Sequence, residues 1–120
     1  MHVKKADLCP RVTENIKEII DAISILLKKG FAYETEDGVY FNVAKFKNYG
    51  KLSGIKIEKG KTGTRVDADK YEKEKASDFA LWKKAKQNEP FWESAFGKGR
   101  PGWHIECSVM STKYLGKSFD

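Results

Sequence analysis

The chain has 120 residues, 40% of them hydrophobic and 33% charged, with a formal net charge of +6, the size and apolar content of one domain with a real core. Aromatic residues recur along its whole length, which excludes wholesale disorder, and no apolar run is long enough to cross a bilayer. The two cysteines, Cys9 and Cys107, stand almost a chain length apart and make no disulfide framework, so a reduced, cytoplasmic protein is expected.

The opening "MHVKKADLCP" lacks the apolar stretch of a signal peptide. "PRVTENIKEIIDAISILLKKG" predicts a helix, because Ile16, Ile19, Ile20, Ile23, Leu26 and Leu27 fall at steps of three and four. Thr13 is the expected N-cap, Glu14 suits the positive end of the helix dipole, Lys28 and Lys29 suit the other end, and Gly30 stops it. "FAYETEDGVYFNV" predicts a β-hairpin that turns at Asp37-Gly38. "KNYGKLSGIKIEKGKTGTRVDADKYEKEKAS" is lysine- and glycine-rich and reads as a long basic excursion, with Ile55 and Ile57 marking a short exposed strand. Its Lys59, Lys61 and Arg65 form a cationic run that suits either a phosphate backbone or a merely solvated loop. "DFALWKK" predicts a buried strand, "AKQNEPFWESAFGKG" a loop, and "PGWHIECSVMSTKYLG" a helix that Pro101 or Gly102 begins and Gly116 ends. Helix, hairpin, excursion, strand and C-terminal helix, with no composition break, argue for one α+β domain over residues 1–120.

The segment "GKGRPGWHIECSVM" gathers scarce residue types at one turn. On a helix, Trp103, Cys107, Met110 and Tyr114 share a face, and His104 lies one turn before the thiol of Cys107. The glycines upstream admit another backbone or a ligand at close range. Three readings compete. An aromatic stripe with a cysteine is most often core. Cys107 and His104 are zinc-ligand types, but zinc wants four ligands, or three and a substrate, and the chain holds only four Cys and His in all. A Cys–His nucleophilic pair lacks an orienting Asn or Asp and an oxyanion hole. "GKTGTRVD" lacks the spacing of a phosphate-binding loop.

Those residues carry a resemblance. "GKGRPGWHIECSVMS" is similar to the G-x-G-R-P-G-W-H-I-E-C-S-x-M stretch of cysteinyl-tRNA synthetases. "PRVTENIKEIIDAISILLKKGFAYETEDGVYFNV", "YGKLSG", "TRVD" and "SDFALWKKAKQNEPFWES" follow in the family's order, so the likeness covers nearly the whole chain. The resemblance implies a class I, Rossmann-like catalytic domain that activates cysteine with ATP and transfers it to the cysteine tRNA. It implies a zinc ion that binds the substrate thiolate and so separates cysteine from serine. Carried onto this sequence, Cys107 is one zinc ligand, Trp103 walls the amino-acid pocket, and His104 stands beside it. The basic excursion would meet the tRNA acceptor end through Lys59, Lys61 and Arg65.

Departures from the family pattern bound what is expected. The family's N-terminal zinc cysteine, its His-Ile-Gly-His-like ATP motif, its H-H-x-x-E zinc motif and its lysine-rich signature loop have no match here, and Cys9 does not replace the first of these. "ESAFGKG" departs mildly from the usual Ser-Pro-Trp-Gly. The resemblance therefore places residues of about 1–95 in the connective-peptide insertion and about 96–120 in the segment entering the active site. The remaining zinc ligands and the rest of the catalytic domain would lie outside the chain, which by itself would be inactive. A free-standing RNA-binding module derived from a synthetase, and a fragment of the related cysteine ligase of mycothiol synthesis, are the alternatives.

Overall fold

The computed structural model of the chain describes residues 4–54 and 78–119. After a 3-10 turn at Val12–Glu14 come helix α1 (Ile16–Lys28), strands β1 (Ala32–Thr35) and β2 (Gly38–Phe41), and a second 3-10 turn at Val43–Lys45. Strands β3 (Phe79–Lys84) and β4 (Gly99–Pro101) and helix α2 (Trp103–Leu115) complete the α+β architecture. The strands form one antiparallel sheet in the order β1-β2-β3-β4. The expected strand at Ile55 and Ile57 lies outside the described residues.

Helix α1 forms where its apolar spacing predicts, burying Ile16, Ile19 and Ile23. It also ends as expected. Gly30 takes φ +75°, its N–H donates to the Leu27 carbonyl at 3.0 Å, and the Phe31 N–H donates to the Leu26 carbonyl at 3.0 Å. These two bonds satisfy carbonyls that the helix end would otherwise leave open. The start differs from expectation. Thr13 lies inside the 3-10 turn, and Asn15 is the residue before the helix. Asn15 is fully buried, and its Nδ2 donates to the Arg11 carbonyl at 2.7 Å. The extra turn displaces the helix start by two residues, which local cap preference does not foresee.

The hairpin also turns one residue earlier than expected. Thr35 pairs with Gly38, so Glu36 and Asp37 form the loop. Gly38 is required for space, since a Cβ there would lie 2.1 Å from the Trp82 carbonyl oxygen. The turn is held by side chains, with the Tyr40 hydroxyl donating to Asp37 Oδ2 at 2.7 Å.

Strand β3 is the centre of the core. Val39 opposes Trp82 while Tyr40 opposes Ala80, leaving Leu81 as an extra residue in a bulge. The bulge breaks the inward–outward alternation, so the consecutive Leu81 and Trp82 are both buried in one cluster with Ile19, Ile23, Val39, Phe96 and Ile105. The indole Nε1 of Trp82 donates to the Gly97 carbonyl at 3.3 Å, which ties the loop before β4 to the core. Asp78, just before β3, is 5% exposed. It accepts the Tyr33 hydroxyl at 2.8 Å and the Val43 N–H at 3.0 Å, joining hairpin, 3-10 turn and β3. Removing the carboxylate strands a buried N–H. Asp78→Ala is therefore expected to lower unfolding free energy by about 2 kcal/mol, read from the midpoint of a urea titration.

Candidate functional site

The backbone of β3 sets where α2 begins. The Gly102 N–H donates to the Leu81 carbonyl at 2.8 Å. A Cβ on Gly102 would sit 1.9 Å from the Ala80 carbonyl oxygen, and one on Gly99 would sit 2.2 Å from that of Lys83. The close neighbour admitted by both glycines is thus the backbone of β3. Pro101 belongs to β4, paired with Trp82, and the helix begins at Trp103. No side chain caps that start, and Gly102 is extended at φ −76°, ψ 155°. Gly116 follows the last helical residue at φ +93°, as expected.

Helix α2 has Ile105 as its buried residue, with Val109 partly buried against the same core. The stripe predicted on one face is there, but it faces outward. Trp103 is 84% exposed and Tyr114 40% exposed; Cys107 is exposed and Met110 half-buried. Among the described residues, that stripe therefore lies outside the core. The reason is angular. Trp103 and Ile105 are two residues apart, about 200° around a helix, so burying Ile105 turns the tryptophan face outward.

His104 is also exposed, and its imidazole meets the Phe79 ring edge-on at a centroid distance of 5.0 Å. Phe79 stacks on Phe41 at 5.1 Å, and Phe41 on Phe31 at 6.4 Å. His104 thus stands at the end of a row of rings across the sheet. Sequence reasoning placed His104 near Cys107 but gave no sign of Phe79, because that contact crosses the sheet. Glu106, in the first turn of α2, has its carboxyl pKa raised by burial, an effect that the Arg100 guanidinium opposes.

Sequence reasoning also missed a clasp at the far end of α2. Lys113 Nζ donates to Asn15 Oδ1 at 2.8 Å and to the Glu18 carboxylate. The Tyr114 hydroxyl lies 3.4 Å from the same Asn15 oxygen. The hydrogen bond from Lys113 lowers the Glu18 pKa, and the bond to Glu18 raises that of Lys113. The available signal was Asn15 itself, a cap-type residue directly before the first apolar position.

Cys107 and Cys9 are both free and exposed thiols. Among the described residues, no group of three or more His, Cys, Asp or Glu side chains is placed to hold a metal ion. Zinc needs more donors than one thiol. Cys107 alone is thus too few donors for zinc, and no zinc site is shown among the described residues. Lys59, Lys61 and Arg65 lie outside the described residues. Among the described residues, no helix is long and apolar enough to cross a membrane. What this face offers is an open tryptophan ring, a free thiol and a ring-supported imidazole on consecutive turns of one helix.

Comparison with known proteins adds to this geometry. The family of class I (C) tRNA synthetase catalytic domains matches residues 1–120. A cysteine–tRNA ligase of Thermococcus onnurineus is 63% identical over the whole chain, which covers 25% of that relative. One from Methanococcus maripaludis strain S2 is 62% identical, and one from Pyrococcus furiosus 60%, each over the whole chain and 25% of the relative. The chain thus spans about a quarter of the length of the curated relatives it matches.

Proposed function

The chain belongs to the class I (C) tRNA synthetase catalytic-domain family, and from that premise we propose that it is part of a cytoplasmic cysteine–tRNA ligase. The reaction is activation of cysteine with ATP and its transfer to the cysteine tRNA. Within it, residues of about 1–95 serve as the connective-peptide insertion of a Rossmann-like domain, and about 96–120 enter the amino-acid pocket. The observation that carries this reading is the exposed Trp103–Cys107 face, which spends two residue types that normally fill cores on an open surface. An open face of this kind suits a pocket completed by the rest of the catalytic domain.

Each residue then has a distinct task. Cys107 would supply one thiolate to a zinc site completed by ligands from beyond the described residues. A bound zinc there favours the sulfur of the substrate over a hydroxyl, which separates cysteine from serine. Trp103 gives the pocket an apolar wall that excludes water from the side chain of the amino acid. His104, steadied by Phe79, borders the same pocket. Lys59, Lys61 and Arg65 offer phosphate contacts to the acceptor end of the tRNA. The names of the relatives do not favour the two alternatives, a free-standing RNA-binding module or a mycothiol cysteine ligase.

The test is amino-acid-dependent exchange of pyrophosphate into ATP by the full-length protein. Cysteine is expected to support exchange and serine to give at least about a thousandfold less. Charging of cysteine tRNA, with no ligation to an amino sugar, completes the expected result. Exchange that ignores cysteine, or ligation to the sugar alone, overturns the proposal.

A further inference from the structure

Helix α2 is held along its front half and again at its rear. At the front, Gly102 bonds to β3, Ile105 enters the core and Val109 packs partly against it. Beyond Val109 it has no buried residue. In that rear half, Lys113 and Tyr114 supply its side-chain hydrogen bonds to α1, through Asn15 and Glu18, more than ninety positions away in sequence. The exposed Trp103–Cys107 face lies at and just behind the front anchor. Cys107 is six residues from Lys113, about 9 Å along the helix axis. A helix pinned only at its front would tilt about that pin and carry the thiol with it.

The rear contact is built to hold one geometry. Asn15 is fully buried, and both ends of its amide are used. Nδ2 donates to the Arg11 carbonyl at 2.7 Å, while Oδ1 accepts from Lys113 Nζ at 2.8 Å. Rotating the amide by half a turn would set its NH₂ against the ammonium and its oxygen against the Arg11 carbonyl, so a single orientation is fixed. Glu18 then accepts a hydrogen bond from a second N–H of the same ammonium, which defines the direction of the lysine as well as its distance.

We propose that Asn15, Glu18 and Lys113 are positioning residues for amino-acid recognition, fixing the tilt of α2 and with it the placement of Trp103 and Cys107 against the substrate side chain. The inference rests on the reading of the protein as a cysteine–tRNA ligase. It predicts a defect specific to the amino acid, because the clasp acts on α2, the helix that carries Trp103 and Cys107.

The experiment measures steady-state pyrophosphate exchange by the full-length protein and its Lys113→Met, Glu18→Gln and Lys113→Arg variants. Lys113→Met is expected to raise KM for cysteine about tenfold with KM for ATP changed less than about twofold. Glu18→Gln, which alters a half-exposed side chain and leaves Asn15 in place, is expected to raise it about threefold, and Lys113→Arg to restore it to within about twofold of the parent. An unchanged KM for cysteine in Lys113→Met, or equal rises for cysteine and ATP, overturns the positioning role while leaving the ligase reading intact. An unmodified protein with no cysteine-dependent exchange overturns the ligase reading, and the positioning role falls with it.

Discussion

A Gly102→Ala variant is expected to lose about 3 kcal/mol of folding stability, near the upper end for forcing one methyl group into a packed interior. The new Cβ would stand 1.9 Å from the Ala80 carbonyl oxygen and 2.6 Å from its carbon. Both are backbone atoms of the central strand, so no rotamer change relieves the contact. The backbone of Gly102 itself is at φ −76°, where alanine is comfortable, so the effect is wholly steric. Gly30→Ala is the matched comparison. There φ is +75° but nothing lies within 4 Å of the new atom, and a cost of about 1 kcal/mol is expected from conformational strain alone. Urea titrations of the two variants beside the parent would separate these costs. A Gly102→Ala variant within about 0.5 kcal/mol of the parent would mean that β3 does not lie against the start of α2.

What could be read from sequence follows the range of the physics. The apolar spacing of α1, the glycine that ends it, the strand "DFALWKK" and the second helix are local patterns, and each element is found, though the second helix begins at Trp103 and not at Pro101 or Gly102. The features that escaped are contacts between distant segments. Thr13 suited a cap by type, but Asn15 stands before the helix, and its amide oxygen accepts from Lys113 at the other end of the chain. Asp37-Gly38 suited a turn, but Gly38 is paired in the sheet because Trp82 needs the space. Nothing near Asp78 in sequence announces that it joins Tyr33 to Val43. The stripe on α2 was legible as a shared face, but which way it faced was not. Helical spacing fixes relative angles, and only the burial of Ile105 decides the absolute one. Once that is known, a stripe that looked most like core becomes a candidate for a binding face.

The outward stripe leads to the second large effect, a separation of stability from function. A tryptophan that is 84% exposed contributes little to folding, so Trp103→Ala is expected to leave unfolding free energy within about 0.5 kcal/mol of the parent. In the zinc-free protein the same holds for the exposed thiol in Cys107→Ser. Under the proposed ligase reading, however, Trp103→Ala is expected to lower kcat/KM about a hundredfold in cysteine-dependent pyrophosphate exchange by the full-length protein, through loss of the proposed apolar wall. With Cys107 as the proposed zinc ligand, Cys107→Ser is expected to lower it at least about a thousandfold, because a serine hydroxyl stays protonated at neutral pH and is a poor partner for zinc. Zinc content after dialysis provides an independent readout for Cys107→Ser, with a loss expected there and none in Trp103→Ala. The opposite pattern is equally clear. If both variants were destabilised by about 2 kcal/mol or more and kept their activity per folded molecule, the stripe would be packing after all, and the pocket would have to be sought elsewhere.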